Sequence, residues 1–354
     1  MGVVKTIAIA CGGTGGHLSP GIAVAQRLME RNYRCVLLIS QKAVDRTLSD
    51  LYPQLSFVSI PGIALSKKPL DGLRCLYYAA KNIFCSWQLL RTEKVAAVIG
   101  FGGFTNVGAI LAAACLRKPC LLHEANQVVG RTIRLFGRLA TKVYVPEGVF
   151  YNGNKQVSCC GFPLRRELQP MDPKAAKVQL GFNPDQPLVC VVGGSQGAHP
   201  LNRWVLEHAE QLVARGIQVL CVTGTNKMIQ ADKALPSSVV FKPFCSQMAC
   251  LYSAADGVIA RAGAGTIAEL THFTVPSILI PFPQSAEGHQ LKNARLFERR
   301  GGCVVVEQSA MDGLWDQVLS LLEHNQEMRM ALKQLKTIDW ASFLANELDA
   351  QIKC

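Results

Sequence analysis

A histidine ends a glycine-rich segment that directly follows the first apolar run of the chain. Residues 6–10 (TIAIA) lead into CGGTGGH, whose last residue is His17. Glycines between a buried strand and a helix allow backbone N–H groups to approach an anion at the positive end of the helix. A neutral imidazole beside such a turn can act as a general base. Two interpretations of His17 are open: a general base, or a residue that caps the helix or donates to a backbone carbonyl.

A second glycine cluster follows a second apolar run. Residues 188–192 (LVCVV) lead into GGSQG at 193–197. The first cluster is not a Walker loop, because no Gly-Lys-Ser/Thr follows. The first cluster also lacks the third glycine of GxGxxG, and the next apolar run ends at Ser40 without the acidic residue that would hold a ribose, which disfavours a nicotinamide enzyme. Two such turns indicate two α/β domains that share a phosphorylated ligand.

Two further segments place polar or glycine residues after apolar runs in the first half. GFGGFT at 100–105 is either a tight turn or a place where a sugar or phosphate approaches the backbone. HEAN at 123–126 places polar groups at a strand end, where open α/β sheets bind ligands. Glu124 is a second, less favoured candidate for the base.

The second half carries two comparable segments. In RAGAGTIAE at 261–269, Thr266 can cap a helix with Glu269 as its capping-box partner. Alternatively, the Glu269 carboxylate accepts hydrogen bonds from two ribose hydroxyls. Arg261 either neutralises a diphosphate or is an exposed surface residue. EGHQLKNA at 287–294 opens a helix with amide and imidazole groups that suit sugar hydroxyls.

Apolar runs alternate with helical patterns throughout the 354 residues, which is typical of parallel sheets covered by helices in two domains. The predicted strands are residues 4–10, 35–40, 56–60, 96–100, 119–122, 142–145, 188–192, 217–222, 238–241, 256–260, 277–281 and 302–306. The predicted helices are residues 18–31, 70–92, 105–116, 130–138, 200–215, 246–253, 266–273, 288–300, 310–323, 326–336 and 339–352. Residues 161–187 are predicted to be a connector with a short helix, and Asp339 is predicted to cap the last helix.

The positive charge lies entirely in the first half. The net charge is +12, and residues 1–160 contain 19 Lys/Arg and 7 Asp/Glu, whereas residues 161–354 contain 18 of each. This asymmetry indicates an acidic partner for the first half.

The cysteines and the N-terminus both favour a protein that is cytoplasmic, soluble or peripheral to a membrane. The 14 cysteines form no CxxC pair, and they are predicted to be mostly core thiols with no zinc site, as at Cys35, Cys115, Cys190 and Cys221. Residues 1–6 match the myristoylation pattern by chance, because they continue into the first strand. The apolar run there is too short for a signal peptide or a spanning helix.

Residues 63–94 combine basic and apolar positions. The basic residues are Lys67, Lys68, Arg74, Lys81, Arg91 and Lys94. Apolar residues at helical spacing are Leu70, Leu73, Leu76, Tyr77, Ala80, Ile83, Phe84, Trp87 and Leu90. We expect the interior of this helix to be mostly core, with a contact to an anionic bilayer through its loop and ends as the second possibility.

As a set, these motifs resemble the MurG family of peptidoglycan glycosyltransferases, and they span nearly the whole chain in the family's order. The matching stretches are GGTGGHLSP at 12–20, GFGGF at 100–104, HEAN at 123–126, GFPLR at 161–165, GGSQGA at 193–198, RAGAGTIAE at 261–269 and HQLKNA at 289–294.

The resemblance implies an α/β GT-B glycosyltransferase fold with two Rossmann-like domains facing across a cleft. Residues 1–160 would bind the acceptor and the membrane, residues 161–338 would bind UDP-GlcNAc, and a helix at 339–354 would pack back on the first domain. The implied reaction is an inverting transfer of N-acetylglucosamine from UDP-GlcNAc to the C4 hydroxyl of N-acetylmuramic acid in undecaprenyl-pyrophosphoryl-MurNAc-pentapeptide (lipid I). The product, lipid II, serves peptidoglycan synthesis, cell shape and cell division.

The resemblance and the residue patterns together predict the site. His17 is the predicted catalytic base. The predicted substrate contacts are Thr14, Gly15, Gly16, Asn126, Arg165, Gly194, Ser195, Cys245, Arg261, Ala264, Gly265, Thr266, Ile267, Ala268, Glu269, His289 and Gln290. Three positions depart from the family pattern: Ala125 and His289 each replace a Gln, and Phe104 replaces a Tyr, so no catalytic role is expected at Phe104.

The sequence also predicts what the enzyme needs besides its substrates. No DxD-like acidic pair stands beside the turns, so protein donors rather than a metal ion or cofactor are expected to stabilise the diphosphate. The expected location is the cytoplasmic face of the plasma membrane, as a peripheral protein on an anionic surface, without nucleic acid. Three alternatives are a transferase for another lipid acceptor such as diacylglycerol, a nicotinamide oxidoreductase, and a nucleotide-sugar sensor without turnover.

Overall fold

The structure is a computed structural model that describes residues 4–61, 72–194, 197–224, 235–335 and 338–353. The chain divides into unit 1, residues 1–166 with 338–354, and unit 2, residues 167–337. The sequence placed the first boundary at residue 161. Residues 165 and 166 belong with unit 1 because the Arg165 guanidinium donates to the Tyr52 hydroxyl (2.8 Å) and the Arg166 amide donates to the Gln26 side chain (2.9 Å).

The two units have the same alternation of strands and helices. The strands are β1 (Thr6–Ala10), β2 (Arg34–Ile39), β3 (Ser56–Ser59), β4 (Val95–Gly100), β5 (Cys120–His123), β6 (Lys142–Val145), β7 (Val157–Cys159), β8 (Leu188–Val192), β9 (Gln218–Val222), β10 (Val239–Lys242), β11 (Gly257–Ala260), β12 (Ser277–Leu279) and β13 (Val304–Val305). The helices are α1 (Gly15–Met29), α2 (Ala43–Ser49), α3 (Gly72–Thr92), α4 (Thr105–Cys115), α5 (Arg131–Phe136), α6 (Pro173–Leu180), α7 (His199–Ala214), α8 (Met248–Ala254), α9 (Ala264–His272), α10 (His289–Arg299), α11 (Leu314–Glu323), α12 (Asn325–Gln334) and α13 (Trp340–Lys353).

The strand order of both sheets is that of a Rossmann-like domain. Unit 1 has the order β3-β2-β1-β4-β5-β6-β7 and unit 2 has the order β10-β9-β8-β11-β12-β13. The strand pairs are parallel, with Ala10 opposite Gly100 in unit 1 and Val192 opposite Ala260 in unit 2. The chain order reverses between these central strands, which is where open α/β sheets bind ligands. The glycine turns after β1 and β4 therefore meet in unit 1, and those after β8 and β11 meet in unit 2.

The apolar run of β1 is buried on both faces of its sheet. Ile7 and Ile9 belong to one core cluster, which also contains Leu344 of α13, and Ala8 and Ala10 belong to the cluster on the other face. Successive strand residues point to opposite faces, so a continuous apolar run is what a doubly covered parallel strand requires.

The last helix packs on α1 within unit 1. Its predicted cap is confirmed, because the Asp339 carboxylate accepts the Ser342 N–H at 3.0 Å. Two short elements were absent from the sequence prediction: α2 spans seven residues and β7 spans three. Both are too short to show a clear period.

The expectation that α3 is mostly core is wrong for much of its apolar stripe. Its buried face includes Asn82, Ser86 and Leu90, whereas Leu76 and Phe84 are more than half exposed (68% and 61%). The polar Asn82 is buried because its side chain accepts the Gly108 N–H (2.8 Å) and donates to a backbone carbonyl. Lys67, Lys68, Leu70 and the side chains of Leu73 and Arg74 lie outside the described residues.

Most of the predicted core thiols are buried. Cys35, Cys190 and Cys221 are buried, and burial raises the pKa of Cys35 and of Cys221 to about 12. The prediction is wrong for Cys115, which is exposed near the end of α4.

Candidate active site

His17 lies in the first turn of α1 and contacts the second glycine turn of unit 1. Its Nδ1 atom is 3.1 Å from the Thr14 hydroxyl oxygen. A Cβ atom on Gly102 would lie 3.1 Å from Nε2, and one on Gly103 would lie 3.2 Å from Nδ1. Both glycines have positive φ, +95° and +79°. The imidazole therefore rests on a backbone that only glycine can supply at this distance.

His17 is not the helix cap, because the N-cap of α1 is Thr14 in extended conformation. The cap interpretation of His17 is therefore wrong. Two hydroxyls tie the surrounding turns together: Thr105 donates to the Gly12 carbonyl (3.0 Å) and Thr132 donates to the Gly103 carbonyl (3.1 Å). The position of the imidazole is thus fixed from both turns.

Glu124 is buried and holds its own loop. One carboxylate oxygen accepts the backbone N–H (2.9 Å) and the side-chain amide (3.0 Å) of Asn126, and the other accepts the Gly130 N–H (2.7 Å). These bonds engage both oxygens, so the carboxylate is a loop anchor that also orients the predicted substrate contact Asn126. Of the two candidate bases, the geometry favours His17.

His123 is fully buried beside this loop. Its Nε2 atom is 2.8 Å from the Gly161 carbonyl oxygen, and burial lowers its pKa to about 4. The imidazole is therefore neutral at pH 7, and Nε2 carries the proton because a carbonyl only accepts. His123 links β5 to the GFPLR segment that follows β7.

In unit 2 the turn after β8 is shaped by close backbone approaches. A Cβ atom on Gly197 would lie 2.0 Å from the Thr223 carbonyl oxygen, and one on Gly193 would lie 2.4 Å from the Ala198 nitrogen. Gly194 has φ +81°, and a Cβ atom placed there would have no heavy atom of the described residues within 4 Å. This turn leads into α7, as a phosphate-binding turn requires. Ser195 lies outside the described residues.

The capping-box interpretation of Glu269 is wrong. Helix α9 begins at Ala264 with Gly263 as its N-cap, and no described side chain caps it. Glu269 lies in the second turn, where its carboxylate accepts a hydrogen bond from the Tyr252 hydroxyl at 2.9 Å. A carboxylate can accept several hydrogen bonds, so the Tyr252 contact is compatible with a ribose contact at Glu269. Tyr252, 1% exposed, is a residue that the sequence analysis missed.

The interpretation of Arg261 as an exposed surface residue is wrong, because its side chain is buried and bonded within unit 2. It is 8% exposed and donates to the carbonyls of Ile280 (3.0 Å) and Pro281 (3.3 Å) and to the Gln308 side chain (2.6 Å). Desolvation by burial lowers the pKa of its guanidinium. These contacts hold the loop that leads to α10, and a role at a diphosphate stays a prediction.

The loop before α10 positions two more predicted contacts. The Gln290 side chain accepts the Phe282 N–H at 2.8 Å, and His289 Nδ1 is 2.9 Å from the Ala286 carbonyl oxygen. Asn293, which belongs to the HQLKNA motif but was not among the predicted contacts, donates to the Ala262 carbonyl at 3.3 Å and so joins α10 to the turn after β11. Cys245 is buried in the segment between β10 and α8, with Phe244 37% exposed beside it.

The predicted substrate contacts are divided between the two units. Unit 1 contains Thr14, Gly15, Gly16, Asn126 and Arg165. Unit 2 contains Gly194, Ser195, Cys245, Arg261, Ala264, Gly265, Thr266, Ile267, Ala268, Glu269, His289 and Gln290. Within the part of the chain that the structure describes, no three His, Cys, Asp or Glu side chains form a group that could hold a metal ion.

Comparison with known proteins supports the division into two domains. The glycosyltransferase family 28 N-terminal domain matches residues 7–145, and the family 28 C-terminal domain matches residues 188–342. A crystal structure of MurG from Acinetobacter baumannii superposes with a TM-score of 0.72 at 26% identity, covering 98% of this chain and 99% of that one. The glycosyltransferase of kitacinnamycin has a TM-score of 0.73 at 15% identity over 99% and 100% of the chains, which shows the fold alone.

Curated relatives match over nearly the whole chain. A protein of Opitutus terrae is 42% identical over 96% of this chain and 93% of its own length, and one of Thermoanaerobacter sp. is 34% identical over 94% and 96%. Both are named UDP-N-acetylglucosamine–N-acetylmuramyl-(pentapeptide) pyrophosphoryl-undecaprenol N-acetylglucosamine transferase. The two Rossmann-like domains are those of GT-B glycosyltransferases. The chain therefore belongs to glycosyltransferase family 28 and, within it, to the MurG family.

Proposed function

We propose that the protein transfers N-acetylglucosamine from UDP-GlcNAc to the C4 hydroxyl of N-acetylmuramic acid in lipid I, with inversion at the anomeric carbon, to give lipid II. The observation that carries this proposal is the position of His17 against Gly102 and Gly103, where the two glycine turns of unit 1 meet. The names of the relatives in this family give UDP-N-acetylglucosamine and N-acetylmuramyl-(pentapeptide) pyrophosphoryl-undecaprenol as substrates of an N-acetylglucosamine transferase.

In the proposed reaction, the acceptor C4 oxygen attacks the anomeric carbon of N-acetylglucosamine. The new C–O bond forms as the bond to the UDP oxygen breaks, and His17 takes the hydroxyl proton. This requires the tautomer in which Nδ1–H donates to the Thr14 hydroxyl oxygen, because that leaves the lone pair on Nε2. Thr14 therefore orients the base, which fits its place among the predicted contacts.

UDP leaves with an additional negative charge on its diphosphate. We assign the diphosphate to the connection between β8 and α7, because the helix dipole at the N-terminus of α7 favours an anion. We assign the ribose to Glu269, which the Tyr252 hydroxyl holds, and the uracil to the backbone at Cys245. Fixed donors of this kind lower the barrier because the charge on the diphosphate grows as the bond breaks.

We also propose that unit 1 binds the cytoplasmic face of the plasma membrane through α3. An apolar groove of about 350 Å³ between α3 and α4 is lined by Ala80, Ile83, Phe84, Trp87, Leu111, Ala112 and Cys115. The Arg91 guanidinium lies over the Trp87 ring, 5.2 Å from its centre. None of the described helices is long and apolar enough to cross a membrane. Exposed apolar side chains flanked by cations suit an anionic bilayer surface.

The transfer reaction is tested with purified protein, labelled UDP-GlcNAc and lipid I, followed by identification of the lipid product. The expected product is lipid II, formed at the same rate with and without EDTA. Diacylglycerol serves as the alternative acceptor. Label in glucosaminyl-diacylglycerol and none in lipid II would contradict the proposed acceptor, whereas UDP-GlcNAc binding without any product would indicate a sensor.

The membrane proposal is tested by co-sedimentation with phosphatidylglycerol and phosphatidylcholine vesicles. We expect binding to the anionic vesicles and a loss of about tenfold or more in Phe84→Ser, because burying a Phe side chain contributes about 1.5–3 kcal/mol. Met330→Ser is the matched control, since Met330 is 64% exposed and Phe84 is 61% exposed. Equal binding of both variants would exclude α3 as the contact.

A further inference from the structure

A fully buried carboxylate lies beneath the turn that carries His17. Asp45 is 0% exposed, and its Oδ2 atom accepts hydrogen bonds from the Gly13 N–H (2.7 Å), the Ser40 N–H (2.9 Å) and the Ser40 hydroxyl (2.5 Å). A buried charge is costly unless it is hydrogen-bonded, so this arrangement needs an explanation.

The N–H and the carbonyl of Gly13 are both hydrogen-bonded by side chains of residues 42–45. Its N–H donates to Asp45, and its carbonyl accepts from Lys42 Nζ at 3.0 Å. Gly13 has φ +117°, a conformation open mainly to glycine. Because glycine is also the most flexible residue, a turn built on it keeps one conformation only if other groups fix it. Asp45 and Lys42 supply those groups.

The charge of the Asp45 carboxylate also affects Cys11, at the start of the turn. The pKa of the Cys11 thiol is raised by burial and, as the second cause, by the charge of Asp45. Cys11 and Gly12 directly follow β1, and both of their N–H groups donate to the Leu38 carbonyl at 3.1 Å. Asp45 therefore acts on the point where the chain leaves β1 and turns toward α1.

A series of contacts connects Asp45 to His17, the proposed base. Asp45 binds the Gly13 N–H, Gly13 precedes Thr14, and the Thr14 hydroxyl contacts His17 Nδ1 at 3.1 Å. We propose that Asp45 is a positioning residue for His17, which fixes the Gly13 peptide and thereby the Thr14 hydroxyl that orients the imidazole. This inference rests on the proposed function of His17 as the base.

A purely structural role is the competing explanation. Asp45 lies in the first turn of α2, where a carboxylate stabilises the helix through its dipole, although the N-cap of α2 is Lys42 and no described side chain caps that helix. The sequence contains a matched control. Asp50 is exposed at the C-terminal end of α2, so Asp50→Asn changes the same charge on the same helix without a bond to the turn.

The test is a double-mutant cycle on kcat with Asp45→Asn and His17→Ala. We expect Asp45→Asn to lower kcat by about 10- to 100-fold, because a displacement of about 1 Å at a reacting group costs about 100-fold. KM for UDP-GlcNAc and the Kd of UDP should stay within about twofold. His17→Ala should lower kcat much less in the Asp45→Asn background than in the wild type, since a misplaced base has less to lose.

Multiplicative effects of Asp45→Asn and His17→Ala would overturn the positioning role, as would an equal loss of kcat in Asp50→Asn. If Asp45→Asn does not fold, Lys42→Met removes the other hold on Gly13 from the surface, and the same cycle applies to it. A kcat for Lys42→Met equal to the wild type, or a loss of kcat that simply multiplies with that of His17→Ala, would then refute the inference. If the wild type forms no lipid II, or if His17→Ala is fully active, the proposed function fails instead, so the two failures are distinguishable.

Discussion

His17 contacts the glycine turn after β4, so a substitution at Gly102 tests whether the position of the imidazole matters for catalysis. A Cβ atom there would lie 3.1 Å from His17 Nε2, which is closer than ordinary van der Waals contact, so the imidazole must move by a few tenths of an ångström. Because a displacement of about 1 Å costs about 100-fold, we expect Gly102→Ala to lower kcat by about tenfold. That loss corresponds to about 1.4 kcal/mol of transition-state stabilisation.

The same substitution also strains the backbone, since Gly102 has φ +95°. A non-glycine residue at positive φ costs about 1–2 kcal/mol, which is a loss of stability rather than of catalysis. Gly148 separates the two effects, because it has φ +80° in the same unit and a Cβ there would meet no described atom within 4 Å. Gly148→Ala should therefore lose similar stability and retain its kcat.

The assay measures lipid II formation at saturating UDP-GlcNAc for both variants, together with urea unfolding and the Kd of UDP by calorimetry. We expect equal unfolding losses and equal UDP affinity, with a lower kcat only in Gly102→Ala. If the two variants show the same kcat at the same loss of stability, His17 is not close to the reacting atoms and the reasoning is refuted.

Three further predictions concern single side chains. His17→Ala should lower kcat by about 10²- to 10⁴-fold and leave the Kd of UDP within about twofold, and near-normal turnover would place the base elsewhere. Glu269→Ala should raise the Kd of UDP by about 10- to 100-fold, because hydrogen bonds to a charged group contribute about 1.5–3 kcal/mol, and an unchanged Kd in calorimetry would exclude the ribose contact. The pKa of His123 is about 4 in the folded chain, against an ordinary value of 6.5. Between these two pH values the unfolded chain binds more protons than the folded chain. The free energy of unfolding therefore falls as pH drops through this window, by up to about 3 kcal/mol. Urea unfolding at pH 7 and pH 4 should show this fall in the wild type and a smaller one in His123→Gln, and equal falls would contradict it.

The sequence predicted the fold well because its signals are local. Apolar runs that are buried on both faces identified β1, β4, β8 and β11, and the glycines after them marked the turns at the carboxyl ends. The elements that were missed, α2 and β7, span seven and three residues, and a pattern of that length has no clear period.

The orientation of α3 was not predictable in the same way. The helical spacing of its apolar residues predicted that this stripe packs inward. The structure buries Asn82 and Ser86 against α4 and exposes Leu76 and Phe84, because the close approach of Gly108 requires a short polar partner. Only tertiary packing decides between these faces.

The sequence by itself determined the two α/β units, their glycine turns, the MurG resemblance and His17 as the candidate base. These features depend on short stretches of neighbouring residues, whose types and order are sufficient. The tertiary structure decided which distant residues reach the turns: Gly102 and Gly103 beside His17, Asp45 beneath Gly13, and Tyr252 on Glu269. Gly102 and Gly103 reach His17 because β4 lies beside β1, and Asp45 reaches Gly13 because β2 lies beside β1, so the strand order of the sheet brings these segments together.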